Sequence, residues 1–269
     1  MRKPSAGSVR VGIGGWIFEP WRGVFYPDGL PQKRELEFAS RKLSTIEING
    51  TYYGSQKAEA FARWHDETPS NFVFSLKGPR FATNRRVLAE AAPSIERFIG
   101  SGILELKDKL GPINWQFMPT KTFDPDDFAA FLRLLPATHE GRSLRHAVEV
   151  RHESFKERSF VELARQHKVA IVLAGDSHFP LIADQTADFV YARIMGTSAE
   201  ELLGYARNSI EQWAGRANVW RQGGYPDDLA LLSAKRPVAG RDVFLNVISG
   251  FKERNPAAAM AIIDRLRQA

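Results

Sequence analysis

Cysteine is absent from this sequence, and its absence removes several kinds of chemistry. Without a thiol there is no disulfide framework, no thiolate nucleophile and no zinc or iron–sulfur centre held by cysteine. Any reaction or binding event must therefore use carboxylates, amines, guanidinium groups, imidazoles, hydroxyls or aromatic rings.

Long apolar runs are lacking as well. No window approaches the roughly 18 consecutive apolar residues that a membrane-spanning helix requires, so we expect no membrane partner. The opening MRKPSAGSVRVGIGG has early basic residues but no apolar segment before a cleavage site. It therefore does not resemble a secretory signal, and we expect a cytoplasmic protein.

A dinucleotide-binding fingerprint is also missing. The glycine-rich run GIGG begins at Gly12, but the third glycine of a G-x-G-x-x-G motif would fall at Ile17. We therefore predict no bound cofactor of this type.

Composition allows a large core and a weak preference for anionic partners. Of the 269 residues, 43% are hydrophobic, which suits one sizeable domain. Lysine and arginine exceed aspartate and glutamate by 37 − 31 = 6, and the surplus is spread along the chain.

Short apolar runs rich in β-forming residues alternate with longer stretches of helical spacing, which is typical of a parallel α/β fold. The pattern predicts a single (β/α)8 TIM-type barrel over residues 1–269, with a parallel eight-stranded sheet; an open doubly wound sheet is the alternative. Residues 225–241 form an expected insertion before the last strand. The predicted strands are Val9–Trp16, Thr45–Asn49, Phe72–Lys77, Pro112–Met118, His146–His152, Ala170–Asp176, Phe189–Met195 and Asp242–Ile248.

The alternation of side chains along each strand indicates which residues face the barrel interior. In the second strand, for example, Ile46 and Ile48 suit the side covered by helices, which leaves Glu47 and Asn49 inside. The same reasoning places mostly polar residues inside the C-terminal ends of the strands, where barrels of this kind have their active sites. These residues are Trp16, Glu47, Asn49, Lys77, Asn114, Gln116, Glu149, Arg151, Asp176, Arg193 and Asn246.

The inward charges allow two interpretations. Three acids and three cations are nearly balanced, so they could pair with one another and fill the barrel. Apolar side chains would fill it more simply, so the convergence of six ionisable groups favours a binding or catalytic site.

Several sequence blocks resemble the domain-of-unknown-function 72 family (YecE-like proteins). They are GIGGWIFEPWRGVFYP, TIEINGTYY, FVFSLKGPRFAT, LGPINWQF, EVRHESF and FVYARI, in that order. The resemblance covers residues from about 9 to 266 and implies a TIM-type barrel without an established activity. It also implies a recurrent set of site residues: Trp16, Trp21, Tyr26, Glu47, Asn49, Tyr53, Lys77, Gln116, Glu149, Arg151, His152 and Arg193.

This sequence departs from the family pattern at the ends of three strands. The family has Thr-His where this chain has Thr83-Asn84, and His-Gly where it has Met195-Gly196. The paired asparagines of the final strand are reduced to Asn246. The resemblance therefore implies a divergent member with altered chemistry or none.

The leading functional hypothesis is an enzyme that hydrolyses a phosphorylated or otherwise anionic substrate. Glu47 or Glu149 would act as acid or base, but if Arg193 and Arg151 pair with them, both would stay ionised and serve as anchors. The candidate catalytic residues are Glu47, Glu149, His152 and Asp176. The candidate substrate-binding residues are Trp16, Asn49, Tyr53, Lys77, Gln116, Arg151, Arg193 and Asn246.

Two other functions stay open at this stage. One is a barrel without catalytic activity that binds nucleic acid or an anionic metabolite. The other is a metal-dependent phosphodiesterase similar to endonuclease IV, although the inward cations would repel a divalent metal and only His152 lies near the mouth. After the last strand, Ile248-Ser249-Gly250 is either a phosphate cradle of backbone amides or an ordinary turn.

Overall fold

The computed structural model describes residues 6–235 and 239–268. Strands and helices alternate within these ranges, as the sequence predicts. The strands are β1 (Val9–Gly14), β2 (Thr45–Ile48), β3 (Val73–Lys77), β4 (Leu110–Gln116), β5 (Thr138–His139), β6 (Arg142–Ser143), β7 (His146–Glu149), β8 (Ala170–Ile171), β9 (Leu173–Gly175), β10 (Phe189–Ile194) and β11 (Asp242–Val247). β5 and β6 pair with each other as a short antiparallel hairpin.

The other nine strands form one parallel sheet in the order β8-β7-β4-β3-β2-β1-β11-β10-β9. β8 and β9 stand at the two ends of this order, yet only Val172 separates them in the chain. The backbone N–H of Val172 donates to the carbonyl of Val148 at 2.9 Å. The sheet therefore curls round until its ends meet in a nearly closed barrel.

The sheet has nine parallel strands where eight were expected, because the predicted sixth strand is interrupted at Val172. On one side of the interruption, β8 pairs with β7 through Ala170 and Ile171. On the other side, β9 pairs with β10 through Leu173 to Gly175. The two halves of the predicted strand therefore pair with different neighbouring strands. Every other predicted strand overlaps an observed strand.

Helices cover the outside of this sheet. They are α1 (Glu35–Lys42), α2 (Gly50–Tyr53), α3 (Ala58–Glu67), α4 (Arg80–Thr83), α5 (Ala92–Ile99), α6 (Pro125–Leu134), α7 (Arg158–Gln166), α8 (Arg207–Arg221) and α9 (Asn255–Gln268). Short 3₁₀ helices lie at Glu19–Trp21, Gln32–Arg34, Leu88–Ala91, Ile103–Lys109, Glu153–Phe155 and Lys252–Arg254. Across the described ranges, none of the helices has the length and apolar character needed to cross a membrane.

Helix α6 shows how the sequence sets the local structure. The Asp124 carboxylate accepts the backbone N–H groups of Asp126 and Asp127, both at 3.0 Å, and so caps the first turn. Such a cap contributes about 1 kcal/mol. Phe128 and Phe131, three residues apart, fall on one helical face and are buried against the sheet.

Apolar residues are divided between two cores, one outside the sheet and one inside the barrel. Ile46, Phe74, Trp115 and Val148 belong to the outer core, which lies between strands and helices. Residues of the opposite parity form the inner core near the N-terminal ends of the strands. That inner cluster consists of Val73, Ala147, Ala170, Val172, Phe189, Tyr191 and Phe244. The strand alternation expected from the sequence is thus present, and the inner core closes the barrel beneath the polar residues.

The segment predicted as an insertion, residues 225–241, runs without helix or strand in its described part; residues 236–238 lie outside the described residues. Leu229 is buried. The backbone N–H groups of Leu232 and Ser233 donate to the buried carboxylate of Asp184 at 2.8 and 2.9 Å. These contacts fix the segment against the lower side of the barrel, away from the strand ends that carry the polar side chains.

Candidate functional site

A guanidinium group joins two carboxylates inside the barrel. Arg193 on β10 donates to Glu149 Oε2 on β7 at 2.6 Å and to Glu47 Oε1 on β2 at 3.1 Å. Both carboxylates are 0% exposed and Arg193 is 4% exposed. Because charge-assisted hydrogen bonds are strong where water is excluded, this bridge ties together strands far apart in the sequence.

Arg151 binds the other oxygen of Glu149. Its Nε and one terminal nitrogen both donate to Oε1, at 2.8 and 2.6 Å. The guanidinium carbon also lies 4.3 Å from the centre of the Phe179 ring, a cation–π contact. With 19% of its side chain exposed, Arg151 reaches from the buried carboxylate toward the solvent.

Neutral donors complete the coordination of the two carboxylates. The Tyr191 hydroxyl donates to Glu47 Oε2 at 2.7 Å. The Asn114 amide donates to Glu149 Oε2 at 3.1 Å and to Glu47 Oε2 at 3.4 Å. All four carboxylate oxygens of Glu47 and Glu149 therefore have protein donors, as buried charges require.

The charges in this network stabilise one another. Burial opposes ionisation of Glu149, but Arg193, Arg151 and Lys77 outweigh it and lower its pKa to about 2. Burial together with the Glu47 carboxylate raises the pKa of Tyr191, so its hydroxyl keeps its proton. Glu149 thus remains a carboxylate at neutral pH, and both of the pairings that would make the acids anchors are present.

Lys77 and Gln116 lie beside this network at the ends of β3 and β4. The Lys77 amine donates to Gln116 Oε1, and its nitrogen lies 4.3 Å from the centre of the Tyr52 ring. Burial and the Arg193 guanidinium lower the pKa of Lys77 to about 8, although Glu47 and Glu149 act in the opposite direction. Lys77 and Gln116 are 6% and 7% exposed, slightly more than the carboxylates.

A cavity of about 580 Å³ opens at the same end of the barrel. It lies over the ends of β7, β9, β10 and β11, and its walls include charged, aromatic and backbone groups. The lining residues include Arg151, Asp176, Phe179, Met195, Ser249 and Gly250. Arg151 therefore belongs both to the buried network and to the wall of an open cavity.

The turn after β11 has some, but not all, of the features expected of a phosphate cradle. Ser249 and Gly250 both have positive φ, 63° and 59°, and both line the cavity. The backbone N–H of Ile248, however, donates to the carbonyl of Ile194 at 2.8 Å and is not available to a ligand. A side chain at position 250 would lie 2.6 Å from the Thr197 carbonyl oxygen, so glycine is required there.

Asn246 lies deep in the barrel, paired in register with Gly12 on one side and Arg193 on the other. It is 0% exposed, and in the described part of the chain neither of its side-chain polar atoms has a hydrogen-bond partner. Asn49 lies at the mouth instead, where its amide nitrogen would be 2.8 Å from a Cβ at Gly14. Both asparagines are placed at the barrel interior or its rim, as predicted from strand parity.

Other predicted site residues lie outside the charged network. Trp16 packs edge-on against Trp64 of α3 and Phe74 of the outer core, with ring centres 5.2 and 6.4 Å apart. Tyr53 is 65% exposed, and its ring centre lies 5.9 Å from the Arg80 guanidinium. These rings contact the helix layer and the outer rim.

The polar atoms of His152 and Asp176 also form hydrogen bonds outside the charged network. The Nδ1 atom of His152 accepts the backbone N–H of Ser154 at 3.2 Å and caps the 3₁₀ helix Glu153–Phe155. Asp176 has a positive φ of 53° and accepts a hydrogen bond from Trp213 Nε1 at 2.8 Å. Asp176 nevertheless lines the cavity, whereas sequence parity placed it within the barrel.

A family comparison fits this geometry. The model for "Protein of unknown function DUF72" matches residues 10–269. The chain belongs to the DUF72 family. This confirms the resemblance expected from the sequence blocks.

A curated sequence and a solved structure are among the relatives of this DUF72 protein. The UPF0759 protein YecE of Escherichia coli (strain K12) is 29% identical over 150 residues, which are 55% of this chain and 50% of YecE. The chain therefore spans about half the length of the curated relatives it matches. A DUF72 family protein from Thermotoga maritima superposes with a TM-score of 0.73 at 21% identity, covering 97% of this chain and 99% of that chain.

A more distant structure, a xylose isomerase-like TIM barrel/4-hydroxyphenylpyruvate dioxygenase fusion protein, superposes with a TM-score of 0.51. Its identity is 15%, and the match covers 94% of this chain and 41% of that chain. At such identities the likeness concerns the fold alone, and it supports a TIM-barrel-like architecture for the DUF72 chain.

Two positions at which this DUF72 sequence departs from the family pattern lie on the rim. Asn84 is exposed and hydrogen-bonds Tyr52, whereas Met195 is nearly buried and lines the cavity. The described part of the DUF72 chain contains no cluster of three or more histidine, aspartate or glutamate side chains able to hold a metal ion.

Some contributors to the network were not predicted from the sequence. Tyr191 has the same strand parity as Arg193, two residues later, so the alternation contained the signal that could have identified it. Tyr52 and Phe179 lie beyond strand ends, and no periodic pattern places their rings over Lys77 and Arg151. Asn114 was placed inside the barrel, but its contact with both carboxylates is visible only in the structure.

Proposed function

We propose that this protein binds a small phosphorylated or otherwise anionic ligand at the C-terminal mouth of its barrel. Lys77, Arg151 and Arg193 would hold the anion, with Gln116 as a neutral neighbour. The observation that carries the proposal is the order of charges from inside to outside. The carboxylates are 0% exposed, whereas Arg151, which pairs with Glu149, has 19% of its side chain exposed and lines the cavity.

Arg151 therefore offers positive charge to the cavity, while the Asp176 carboxylate in the same wall accepts a hydrogen bond from Trp213 Nε1. Lysine supplies an ammonium group, and arginine supplies a planar fork that suits phosphate and carboxylate oxygens. Two guanidinium nitrogens of Arg151 are committed to Glu149, so its remaining N–H groups are directed to other partners. This arrangement favours recognition of an anion over recognition of a divalent metal.

Glu47 and Glu149 have a positioning role in this proposal. An acid or base must come within hydrogen-bond reach of the group that it protonates or deprotonates. Both carboxylates are instead fully buried and occupied by Arg193, Arg151, Tyr191 and Asn114. We therefore assign them to holding the two guanidinium groups in place, in preference to the acid–base hydrolysis considered from the sequence.

The architecture is part of the same proposal. We infer that β8 and β9 are two halves of one interrupted strand, which restores a (β/α)8 barrel with residues 225–241 as an insertion before its last strand. The support is that a single residue separates the halves and that each half pairs with a different neighbour. Residues 1–269 would then form one domain with one functional mouth.

A single-stranded nucleic acid is the second candidate ligand, because aromatic rings and cations alternate on the rim. The Arg80 guanidinium lies 5.9 Å from the centre of the Tyr53 ring and 5.4 Å from that of the Phe81 ring. Lys252 lies 4.1 Å from the centre of the Phe18 ring. Bases stack on such exposed rings while cations contact phosphates.

The experiment compares two arginines on either side of β7. Arg151 follows the strand at the mouth, and Arg145 precedes it at the opposite end; each pairs with a carboxylate and lies over a phenylalanine ring. Phosphate binding is measured by calorimetry for the natural protein, Arg151→Gln and Arg145→Gln. We expect Arg151→Gln to weaken binding about tenfold or more, as the loss of a charge-assisted hydrogen bond predicts.

The Arg145→Gln control should bind phosphate within about twofold of the natural protein, since an exposed, distant charge contributes little. Equal effects of the two substitutions would refute a site at the mouth. A crystal soaked with phosphate should place the anion beside Lys77 and Arg151. Tight, strongly salt-dependent binding of oligonucleotides with no binding of phosphate would favour the second candidate instead.

A further inference from the structure

Lys77 is a buried amine with few partners. Its nitrogen donates to the Gln116 side-chain oxygen and faces the Tyr52 ring. Across residues 6–235 and 239–268, no carboxylate oxygen lies within 4.0 Å of this amine. Buried lysines are usually paired, so this environment differs from that of a lysine whose role is to neutralise an acid.

Lys109 provides an internal comparison. It is buried to the same degree, with 4% exposure against 6% for Lys77. Its amine donates to the carbonyl oxygens of His65 and Thr68 and to the Thr68 hydroxyl, so all three N–H bonds have acceptors. Burial lowers the pKa of Lys109 as well, but three acceptors satisfy its amine and give it a structural role. Lys77 has one such acceptor and lies at the functional end of the barrel.

The surroundings of Lys77 also favour its neutral form. Burial and the cation of Arg193 lower its pKa to about 8. The neutral amine is then more populated at pH 7 than it is for an ordinary lysine. Burial next to other cations is a recognised way to make a lysine nucleophilic.

The geometry points to Lys77 as a nucleophile that forms an imine with an aldehyde or ketone group of an anionic substrate. This inference rests on the proposed anion site, because Arg151 and Arg193 would hold the anionic group near the amine. It adds a reactive carbonyl to the description of the ligand, and a covalent step to a site otherwise assigned to binding.

The step balances without any oxidant or reductant. The nitrogen lone pair of neutral Lys77 forms a bond to the carbonyl carbon, while the π electron pair of the C=O bond moves to oxygen. Transfer of a proton from nitrogen to that oxygen gives a carbinolamine. Protonation and departure of the hydroxyl group as water then leave a protonated imine, for which the nitrogen lone pair supplies the new C=N bond.

The test is reductive trapping on the full chain. The protein is incubated with glycolaldehyde phosphate, the mixture is reduced with borohydride, and modified lysines are located by peptide mass mapping. Borohydride delivers hydride to the imine carbon and converts it into a stable secondary amine. We expect early modification at Lys77 to exceed that at Lys109 by at least tenfold, and to be several-fold lower with glycolaldehyde, which lacks the phosphate.

Lys77→Arg keeps a cation at the end of β3 but has no amine that can form this imine. The variant should lose the earliest adduct in intact-mass spectra while its circular dichroism spectrum remains that of a folded protein. If Lys77 in the natural protein stays unmodified while exposed lysines react, the inference is overturned. If the arginine variant fails to fold, the extent of modification at Lys77 relative to Lys109 in the natural protein still tests the inference.

Phosphate binding, measured separately by calorimetry, distinguishes failure of the two proposals. Binding of phosphate without an adduct at Lys77 would overturn the imine and leave the anion site in place. An adduct formed equally well from both aldehydes, with no binding of phosphate, would support the imine and overturn the anion site.

Discussion

The two ends of the barrel interior carry similar charges in different surroundings. At the N-terminal end, Asp242 receives Arg145 at 2.7 Å and Arg10 at 3.9 Å, and all three side chains are partly exposed. At the C-terminal end, Arg193 bridges two carboxylates that water does not reach. Partly exposed pairs contribute about 0–1 kcal/mol, whereas removal of one partner from a buried network costs about 3–5 kcal/mol. Burial, more than the number of charges, distinguishes the two ends.

The apolar inner core explains why the two ends can differ. Phe189, Tyr191 and Phe244 fill the barrel between them. Of these three residues, Tyr191 takes part in both layers, since its ring packs in the inner core while its hydroxyl donates to Glu47. The C-terminal network thus lies between the apolar inner core and the cavity. A ligand can therefore approach it only from the side of the cavity.

The largest expected difference concerns stability. Arg193→Met should lower the free energy of unfolding by about 3–5 kcal/mol, because it leaves Glu47 and Glu149 buried without their shared cation. Asp242→Asn, the matched change at the other end, should cost about 1 kcal/mol or less. Urea unfolding of both variants measures the contrast. Similar losses would contradict the distinction between the two ends.

The free energy of unfolding at acidic pH should depend on the same buried network. A carboxyl whose pKa is lower in the folded protein stabilises the fold above its unfolded pKa, near 4.3, and this stabilisation disappears as the pH falls through the folded value. For Glu149, with a pKa of about 2, the loss should approach about 3 kcal/mol as the pH falls from about 5.5 to below 2. Glu149→Gln should have a flatter acid profile in urea unfolding at a series of pH values. An unchanged profile would show that Glu149 is not the group responsible.

The smallest expected effect is the pH dependence of anion binding. Lys77 carries its charge below a pKa of about 8, in the field of Arg193, Arg151, Glu47 and Glu149. Sulfate, which keeps its charge over this range, should therefore bind a few-fold more weakly at pH 9.5 than at pH 6.5, a difference of about 1 kcal/mol.

Calorimetry with sulfate at both pH values provides the measurement. Lys77→Arg should remove the pH dependence, because arginine keeps its proton throughout. Arg145→Gln should leave the dependence unchanged. Identical affinity of the natural protein at the two pH values would argue that Lys77 does not face the anion.

Strand periodicity predicted the central part of the site. Glu47, Lys77, Glu149 and Arg193 lie within regular strands, where the side-chain direction follows from the backbone repeat of two residues. The alternation was therefore enough to place them inside one barrel, although no two of these four come from the same strand. The depth of each side chain and its individual partners depend on how the strands are staggered, which the sequence did not reveal.

Residues beyond the strand ends could not be placed in this way. Asp176 follows β9 with a positive φ, which turns its carboxylate toward Trp213 of α8. Trp16 follows β1 after Gly15, itself at a φ of 73°, and its ring packs on the helix side. The interruption at Val172 could not be predicted either. A run of apolar residues has the same sequence pattern whether or not its two halves pair with the same neighbouring strand.

The bond from Arg193 to Glu47 spans 146 positions of the chain. During synthesis, a polypeptide that ends before β10 already contains both acids but not the cation that they share. Such a fragment should resist closing around them, because Glu47 would lack its cationic partner and Glu149 would keep only Arg151. The ion pairs of Arg193 can form only after β10 has been synthesised. We therefore expect the first half of this barrel to gain its native order only after most of the chain has been made.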